Sequence, residues 1–321
     1  MKTTQKPVAV MGEENEGKER GSTVPGMRRR EFLPCGGALA VSLGLGASLS
    51  TFAREVKLST PTAEKLLWRA SVQHFTYGRY GFFEALDKVA TLGLRHIEIR
   101  SNVKLDSKRP GMLANEDMPA DARQELKARL AERGMSIPSV FADFNGSADQ
   151  AKRVFELCRE LDADVLVAEP PAEAFDMIER LCEEYRMRLA IHNHQKGQSP
   201  YWSPELVLAA CRNRSPRLGA CGDGGQWARS GLDPVECLRQ LRGRVISFHL
   251  KDVAKKGDPQ SRNTVMGEGE ADCAQTLKEL RRLGYQGLIT IDFEHDTPAL
   301  QEDMARNVAF IEEQARQLLA G

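Results

Sequence analysis

The stretch VISFHLKDV, residues 245 to 253, joins an apolar run to a polar ending. Its β-branched and aromatic residues are typical of a buried strand, whereas His249, Lys251 and Asp252 carry groups that can bind a metal or move a proton. Such an ending is either a functional site or a salt bridge at the rim of the fold. The other strand-like segments of the chain help to distinguish these two interpretations.

The sequence contains eight short apolar segments of this kind, and amphipathic stretches with helical periodicity lie between and after them. The predicted strands are 70–75, 95–100, 136–141, 163–169, 187–194, 217–223, 244–250 and 287–294. The predicted helices include 119–133, 147–161, 172–185, 270–283 and 298–319. Eight strand–helix units in about 250 residues predict an α/β protein with a single (β/α)₈ TIM barrel domain, residues 68–321. No GxGxxG follows the first strand, which disfavours a dinucleotide-binding fold.

Residues 1–53 have the layout of a signal peptide. The segment MRRREFLPCGGALAVSLGLGASLSTFA, residues 27–53, places a basic cluster before an uncharged stretch and ends in small residues. Arg29 and Arg30 resemble the twin-arginine export signal, so we expect a periplasmic or exported protein without a stable membrane partner after cleavage. An uncleaved anchor over 34–53 is the alternative. Residues 54–67 are predicted to be a linker.

The composition limits the classes of partner. The chain has 45 Lys and Arg against 45 Asp and Glu, so it lacks the overall positive field that attracts nucleic acid. Its seven cysteines form no CxxC pair, and we expect most of them to be buried small side chains rather than disulfides or metal ligands.

Polar side chains collect where the predicted strands end, the edge at which TIM barrels carry their active sites. Going from the fourth strand to the eighth, these residues are Glu169, His192 and His194, Asp223, His249, and Asp292 with Glu294. His74 and Glu98 mark the first two strands in the same way. Because side chains alternate along a strand, His192 and His194 share one face, as do Asp292 and Glu294. Imidazole with carboxylate predicts a site for Mn, Fe, Co or Zn.

The segments LAIHNH, GACGDGGQWARSGLDP, ISFHLKD, GEGEAD and GLITIDFE, in this order, resemble the motifs of the xylose isomerase-like TIM-barrel sugar isomerases and epimerases. The resemblance covers about residues 68–318. It implies a divalent metal held by one Glu, one Asp, one His and one Glu from the fifth to eighth strands. Asp223 and His249 match the implied Asp and His.

The other two implied ligands differ from the family pattern. The first glutamate falls at His192, which is a different type of ligand, and His194 and Glu169 are close enough to substitute for it. The last falls at Asp292, with Glu294 two residues further on. Gln226 stands where family members commonly have histidine; an amide can bind substrate but cannot exchange a proton near neutral pH.

The resemblance and the strand ends together predict an exported, metal-dependent sugar isomerase or epimerase, and barrels of this class often form homo-oligomers. It would abstract a proton next to a carbonyl and form an enediolate. The predicted metal ligands are His192, Asp223, His249 and Asp292; the predicted proton carriers are Glu169, His194, Lys251 and Glu294; the predicted sugar contacts are His74, Gln226, Trp227 and Arg229. Three alternatives stay open: a lyase or dehydratase for 3-keto-glycoside-type sugars, a non-catalytic sugar-binding protein, and an endonuclease for damaged DNA, which zero net charge disfavours.

Overall fold

The structure, a computed structural model, describes residues 59–144 and 146–321. The predicted signal peptide and residues 54–58 of the predicted linker lie outside the described residues. Among the helices that the structure describes, none is both long enough and apolar enough to cross a membrane.

Eight parallel strands close into a barrel. They are β1 (Trp68–Gln73), β2 (His96–Arg100), β3 (Ser139–Phe141), β4 (Val165–Ala168), β5 (Arg188–His192), β6 (Leu218–Asp223), β7 (Val245–Leu250) and β10 (Gly287–Ile291). A two-stranded antiparallel hairpin, β8 (Asp252–Val253) and β9 (Asn263–Thr264), follows β7. The order around the barrel is β1-β10-β7-β6-β5-β4-β3-β2, and β1 closes it by pairing with β10 from Trp68 opposite Gly287 to Val72 opposite Ile291. The predicted (β/α)₈ barrel is confirmed.

Helices surround the barrel. They are α1 (Pro61–Lys65), α2 (Phe82–Thr91), α3 (Ala120–Arg133), α4 (Ala148–Glu160), α5 (Phe175–Glu184), α6 (Pro204–Ala210), α7 (Gly224–Arg229), α8 (Pro234–Gln240), α9 (Cys273–Arg282) and α10 (Leu300–Ala320). Short 3₁₀ helices cover His74–Tyr77 and Ala172–Ala174. The described part of the predicted linker packs on this layer, because the Glu312 carboxylate in α10 accepts hydrogen bonds from the backbone N–H groups of Thr62 and Ala63.

The alternation of side chains along each strand separates two cores. One set of positions packs outward under the helices, as Ile97 and Ile99 do, and the other fills the barrel interior with apolar side chains such as Val165, Val167 and Leu288. All six cysteines within the described residues are buried and free. His192, Asp223, His249 and Asp292 lie beyond this apolar filling, at or near the carboxyl ends of their strands.

Asp252 organises the loop between β7 and α9. Its buried carboxylate accepts hydrogen bonds from the backbone N–H groups of Gly267 at 2.8 Å, Gly269 at 3.1 Å and Ala271 at 3.0 Å, as well as from its neighbour Val253 at 2.9 Å. A Cβ on Gly269 would stand 2.4 Å from the Asp252 carboxylate, so only glycine allows this approach. Asp252 is therefore a structural anchor and forms no rim salt bridge with Lys251.

Replacing Asp252 by alanine leaves these N–H groups without their shared acceptor. We expect Asp252→Ala to lower the free energy of unfolding by about 3 kcal/mol, since hydrogen bonds to a charged acceptor are among the stronger ones. Urea unfolding measures the change. Asp258→Ala, at the tip of the same loop where the carboxylate accepts one bond from Gln260, is the matched control and should change stability by less than about 1 kcal/mol. Equal effects of the two substitutions would contradict this role for Asp252.

Candidate functional site

Four side chains at the ends of consecutive barrel strands converge in the mouth of the barrel. His192 and Asp223 end β5 and β6, His249 lies in β7, and Asp292 follows β10. One potential ligand atom from each lies within 4.8 Å of the corresponding atoms of the other three, and all four residues are buried. His192 Nε2 lies 3.6 Å from Asp223 Oδ2, and His249 Nδ1 lies 3.5 Å from Asp292 Oδ2. The structure thus brings the four predicted metal ligands together.

The atoms of this cluster fit a metal ion. His192 Nε2, His249 Nδ1 and Asp292 Oδ1 are buried without a hydrogen-bond partner, whereas Asp223 Oδ2 and Asp292 Oδ2 face the imidazoles and Lys251 Nζ. Unsatisfied polar atoms are expensive to bury, so the two unpartnered imidazole nitrogens beside the aspartates fit a missing metal ion. Two imidazoles and two carboxylates are ligands suited to Zn²⁺, Mn²⁺, Fe²⁺ or Co²⁺.

Surrounding groups orient Asp223. The other carboxylate oxygen, Oδ1, accepts a hydrogen bond from Gln226 N at 2.9 Å and thereby caps α7. The Asn193 side chain accepts a hydrogen bond from Asp223 N at 2.8 Å and donates one to Asp223 O at 3.3 Å. Because Oδ1 is used by the helix, Oδ2 is left facing the cluster.

Glu98 orients His249 from the opposite side of the ring. Glu98 Oε1 lies 2.9 Å from His249 Nε2, while Oε2 accepts a hydrogen bond from Ser139 Oγ at 2.7 Å, and both acidic and imidazole side chains are fully buried. A carboxylate on one ring nitrogen favours the tautomer that leaves the other nitrogen, Nδ1, free to bind a metal. Glu98 was not among the predicted site residues; a charged residue at an inward position of the apolar strand HIEIR is the signal that points to it.

Glu169 and His194 form a second group beside the first. Glu169 Oε1 lies 3.2 Å from His192 Nδ1 and contacts His194 Nδ1 still more closely. These three residues also have potential ligand atoms within 4.8 Å of one another. Burial would raise the pKa of Glu169, but the hydrogen bonds with the two imidazoles outweigh it and lower the pKa, which keeps the carboxylate ionised.

The Lys251 ammonium lies among three carboxylates. Its Nζ is 3.1 Å from Asp223 Oδ2, 3.0 Å from Asp292 Oδ2 and 3.1 Å from Glu294 Oε2, and the side chain is fully buried. Burial would lower the pKa of Lys251, yet the carboxylates raise it well above its ordinary value. In return, the charge of Lys251 overcomes the effect of burial on Asp223, whose pKa falls to about 2, and on Asp292, whose pKa is also lowered. Lys251 is therefore a permanent cation of the site.

The imidazole pKa values shift the opposite way from what burial alone would cause. Burial would lower the pKa of His192, but Asp223 and Glu169 raise it. Burial would also lower the pKa of His249, but Cys221, Glu98 and Asp292 raise it well above its ordinary value. Acidic neighbours thus favour the protonated form of both rings in the absence of metal, and a metal ion bound here would displace those protons.

A cleft of about 460 Å³ is connected to this cluster through Gln226, whose N–H donates to Asp223, and through Glu294, which contacts Lys251. Its lining includes His194, Gln226, Arg229 and Glu294, together with Phe75 and the loop residues Gln195, Gln198, Pro259, Gln260, Ser261 and Arg262. Arg229 Nη1 lies 3.2 Å from Glu294 Oε2, and Arg229 Nε donates a hydrogen bond to Ser261 O at 3.0 Å. Most of these groups are polar, so the cleft suits a ligand that carries many hydroxyls.

Two predicted sugar contacts do not line this cleft. His74 begins a 3₁₀ helix after β1, is fully buried, and packs edge-on against Phe82. Its burial lowers the pKa to about 3, so the ring is neutral. Trp227 is buried in α7, where its ring packs near Phe248 and would contact a Cβ at Gly222. Both side chains belong to the core outside the barrel.

Part of the chain is similar in sequence to two other bacterial proteins. It is 31% identical over 136 residues to the rhizopine catabolism protein MocC of Rhizobium meliloti, which covers 38% of this chain and 41% of that protein. It is 25% identical over 139 residues to an inosose dehydratase of Clostridium botulinum, which covers 39% of this chain and 46% of that protein. The matched stretch is less than half the length of either relative.

Solved structures extend the similarity over most of the chain. An uncharacterised protein from Parabacteroides distasonis is 28% identical, with a TM-score of 0.61 over 76% of this chain and 98% of its own. The IOLI protein, crystallised with a bound zinc atom, is 16% identical and shares the fold, with a TM-score of 0.58 over 78% of this chain and 96% of its own. The model of the family described as xylose isomerase-like TIM barrel matches residues 86–314. The chain therefore belongs to the xylose isomerase-like TIM barrel family.

Proposed function

We propose that this protein is a divalent-metal-dependent sugar isomerase or epimerase that abstracts a proton next to a carbonyl. The observation that carries the proposal is the buried cluster of His192, Asp223, His249 and Asp292, whose potential ligand atoms lie within 4.8 Å of one another and whose imidazole nitrogens Nε2 and Nδ1 lack a hydrogen-bond partner. A divalent cation held there would polarise the carbonyl of the substrate.

The proton carriers that we propose lie on opposite walls of the barrel mouth. Glu169 follows β4 and Glu294 follows β10, and these strands stand four positions apart in the ring of eight. The Glu294 side chain is 23% exposed, and the Glu169 side chain is 17% exposed, so both reach the opening. A carboxylate on each wall can take a proton from one face of a carbon and return it to the other, as an epimerase requires. His194, hydrogen-bonded to Glu169, can relay that proton to water.

Lys251 and Arg229 have a different role in this proposal. Because three carboxylates hold Lys251 as an ammonium ion, it stabilises negative charge that develops on an enediolate rather than removing a proton. Arg229 positions Glu294, and Gln226 lines the cleft as a hydrogen-bonding contact for the sugar. We propose an unphosphorylated sugar as substrate, since the twin-arginine layout of the leader favours export.

A keto-sugar lyase or dehydratase is the second candidate function. The partial match to an inosose dehydratase favours it. Loss of a β-hydroxyl from the same enediolate would need no additional residues, so the two candidates differ in the fate of the intermediate and not in how it forms.

Incubation with ketoses and 3-keto-glycosides in deuterated water, followed by NMR, tests the proposal. With Mn²⁺ present we expect deuterium next to the carbonyl, and either the epimer or a dehydrated product identifies the reaction. Asp223→Asn, which keeps an acceptor for the α7 cap, and His249→Ala should each abolish metal binding and exchange. His96→Ala, which removes an imidazole at the amino end of β2, is the control and should retain both. Full exchange by either site variant would refute the proposed metal centre.

Glu98 gives a separate test of the same centre. We expect Glu98→Gln to weaken Mn²⁺ binding about 10- to 100-fold, because the charge that orients His249 is lost while the side chain keeps its size. Isothermal titration calorimetry measures the affinity. Ser139→Ala leaves the carboxylate in place and removes only its hydrogen-bond donor, so it should change the affinity by less than about threefold. Unchanged affinity in Glu98→Gln would show that Glu98 does not orient a metal ligand.

A further inference from the structure

The side chain of Lys251 packs over a glycine on its way to the acidic cluster. The aliphatic chain passes over Gly225, where an added Cβ would stand 2.5 Å from Lys251 Cγ and 2.7 Å from Cδ. No L side chain can occupy position 225 unless Lys251 moves. The position of the ammonium therefore depends on two elements. Lys251 follows the end of β7, and Gly225 lies in the first turn of α7.

The ammonium contacts the aspartate oxygens that also face the two imidazoles of the cluster. Asp223 Oδ2 faces His192 Nε2 at 3.6 Å and Lys251 Nζ at 3.1 Å. Asp292 Oδ2 faces His249 Nδ1 at 3.5 Å and Lys251 Nζ at 3.0 Å. A divalent ion bound to either oxygen at an ordinary ligand distance would come within about 5 Å of Nζ. Because Lys251 and both aspartates are buried, two cations at this separation repel strongly.

We propose that the Lys251 ammonium is an internal competitor of the divalent cation, which neutralises Asp223 and Asp292 in the metal-free protein and lowers their affinity for the metal. The inference rests on the metal centre of the proposed function. It implies that the barrel folds without metal and that bound metal exchanges readily. Glu294 is the partner that Lys251 can keep when the aspartates bind the ion, because it is the most exposed of the three carboxylates.

Zinc titration of the full-length protein after treatment with a chelator tests this competition. We expect Lys251→Met to bind Zn²⁺ at least about tenfold more tightly than the wild type, because an unbranched side chain of similar length keeps the packing while the repelling charge is lost. In EDTA the same variant should melt several degrees lower, because Asp223 and Asp292 are left buried without their cation.

Two further variants complete the experiment. Lys255→Met removes an exposed lysine from the same loop and should match the wild type in both measurements. Gly225→Ala keeps the ammonium but displaces the aliphatic part of the Lys251 side chain, so it should also raise the affinity for Zn²⁺. This variant tests the competition if Lys251→Met does not fold.

The failures of the two proposals are distinguishable. If the wild type binds Zn²⁺ and both Lys251→Met and Gly225→Ala bind it equally or more weakly, the competition is refuted while the metal centre stands. If none of the three binds Zn²⁺, the metal centre fails, and the competition fails with it.

Discussion

Five carboxylates meet at the mouth of this barrel, and the free-energy cost of burying their charges determines which side chains must surround them. Glu98, Glu169, Asp223, Asp292 and Glu294 have side chains between 0% and 23% exposed. An unpaired buried charge is far too costly to keep, so each must have a cation or a set of donors nearby. The histidines, Lys251 and Arg229 supply them, and the interior of the barrel mouth becomes a network of alternating charge.

The composition of the cluster matches a divalent ion. Two imidazoles and two aspartates give the four ligands a formal charge that balances a 2+ cation, with Lys251 left to pair with Glu294. The family pattern that the sequence resembles has glutamate where this chain has His192, and that ligand set would carry one more negative charge. Because Glu294 already balances the charge of Lys251, a neutral imidazole at this position leaves no negative charge without compensation. The chain's departure from the pattern and its buried lysine are therefore parts of one arrangement.

Much of this architecture could be predicted from the sequence, because both the barrel and its site depend on periodicity. Short apolar strands followed by helices predict the barrel, and the period of two predicts that polar strand-end residues converge, whereas the choice of the four ligands among them came from the family resemblance. His74 shows that an error of two residues in a strand boundary is enough to misplace a side chain. Strand β1 ends at Gln73 rather than at residue 75, and the chain turns into a 3₁₀ helix that carries the His74 ring into the outer core.

Other residues depended on contacts that periodicity does not describe. Helix α7 begins directly after Asp223, so Trp227 packs behind the sheet instead of over the cleft. Lys251 and Asp252 are neighbours in sequence, yet one enters the metal cluster and the other ties down a loop through four backbone N–H groups. The sequence HLKD is consistent with a functional site and with a salt bridge, so only the tertiary structure distinguishes the role of Lys251 from that of Asp252.

The position of the metal tests the account most directly. A crystal grown with Mn²⁺ and measured for anomalous scattering should show a single strong peak within about 2.0–2.4 Å of His192, Asp223, His249 and Asp292. A peak at Glu169 and His194 instead, or no peak at saturating Mn²⁺, would contradict the assignment of the metal centre.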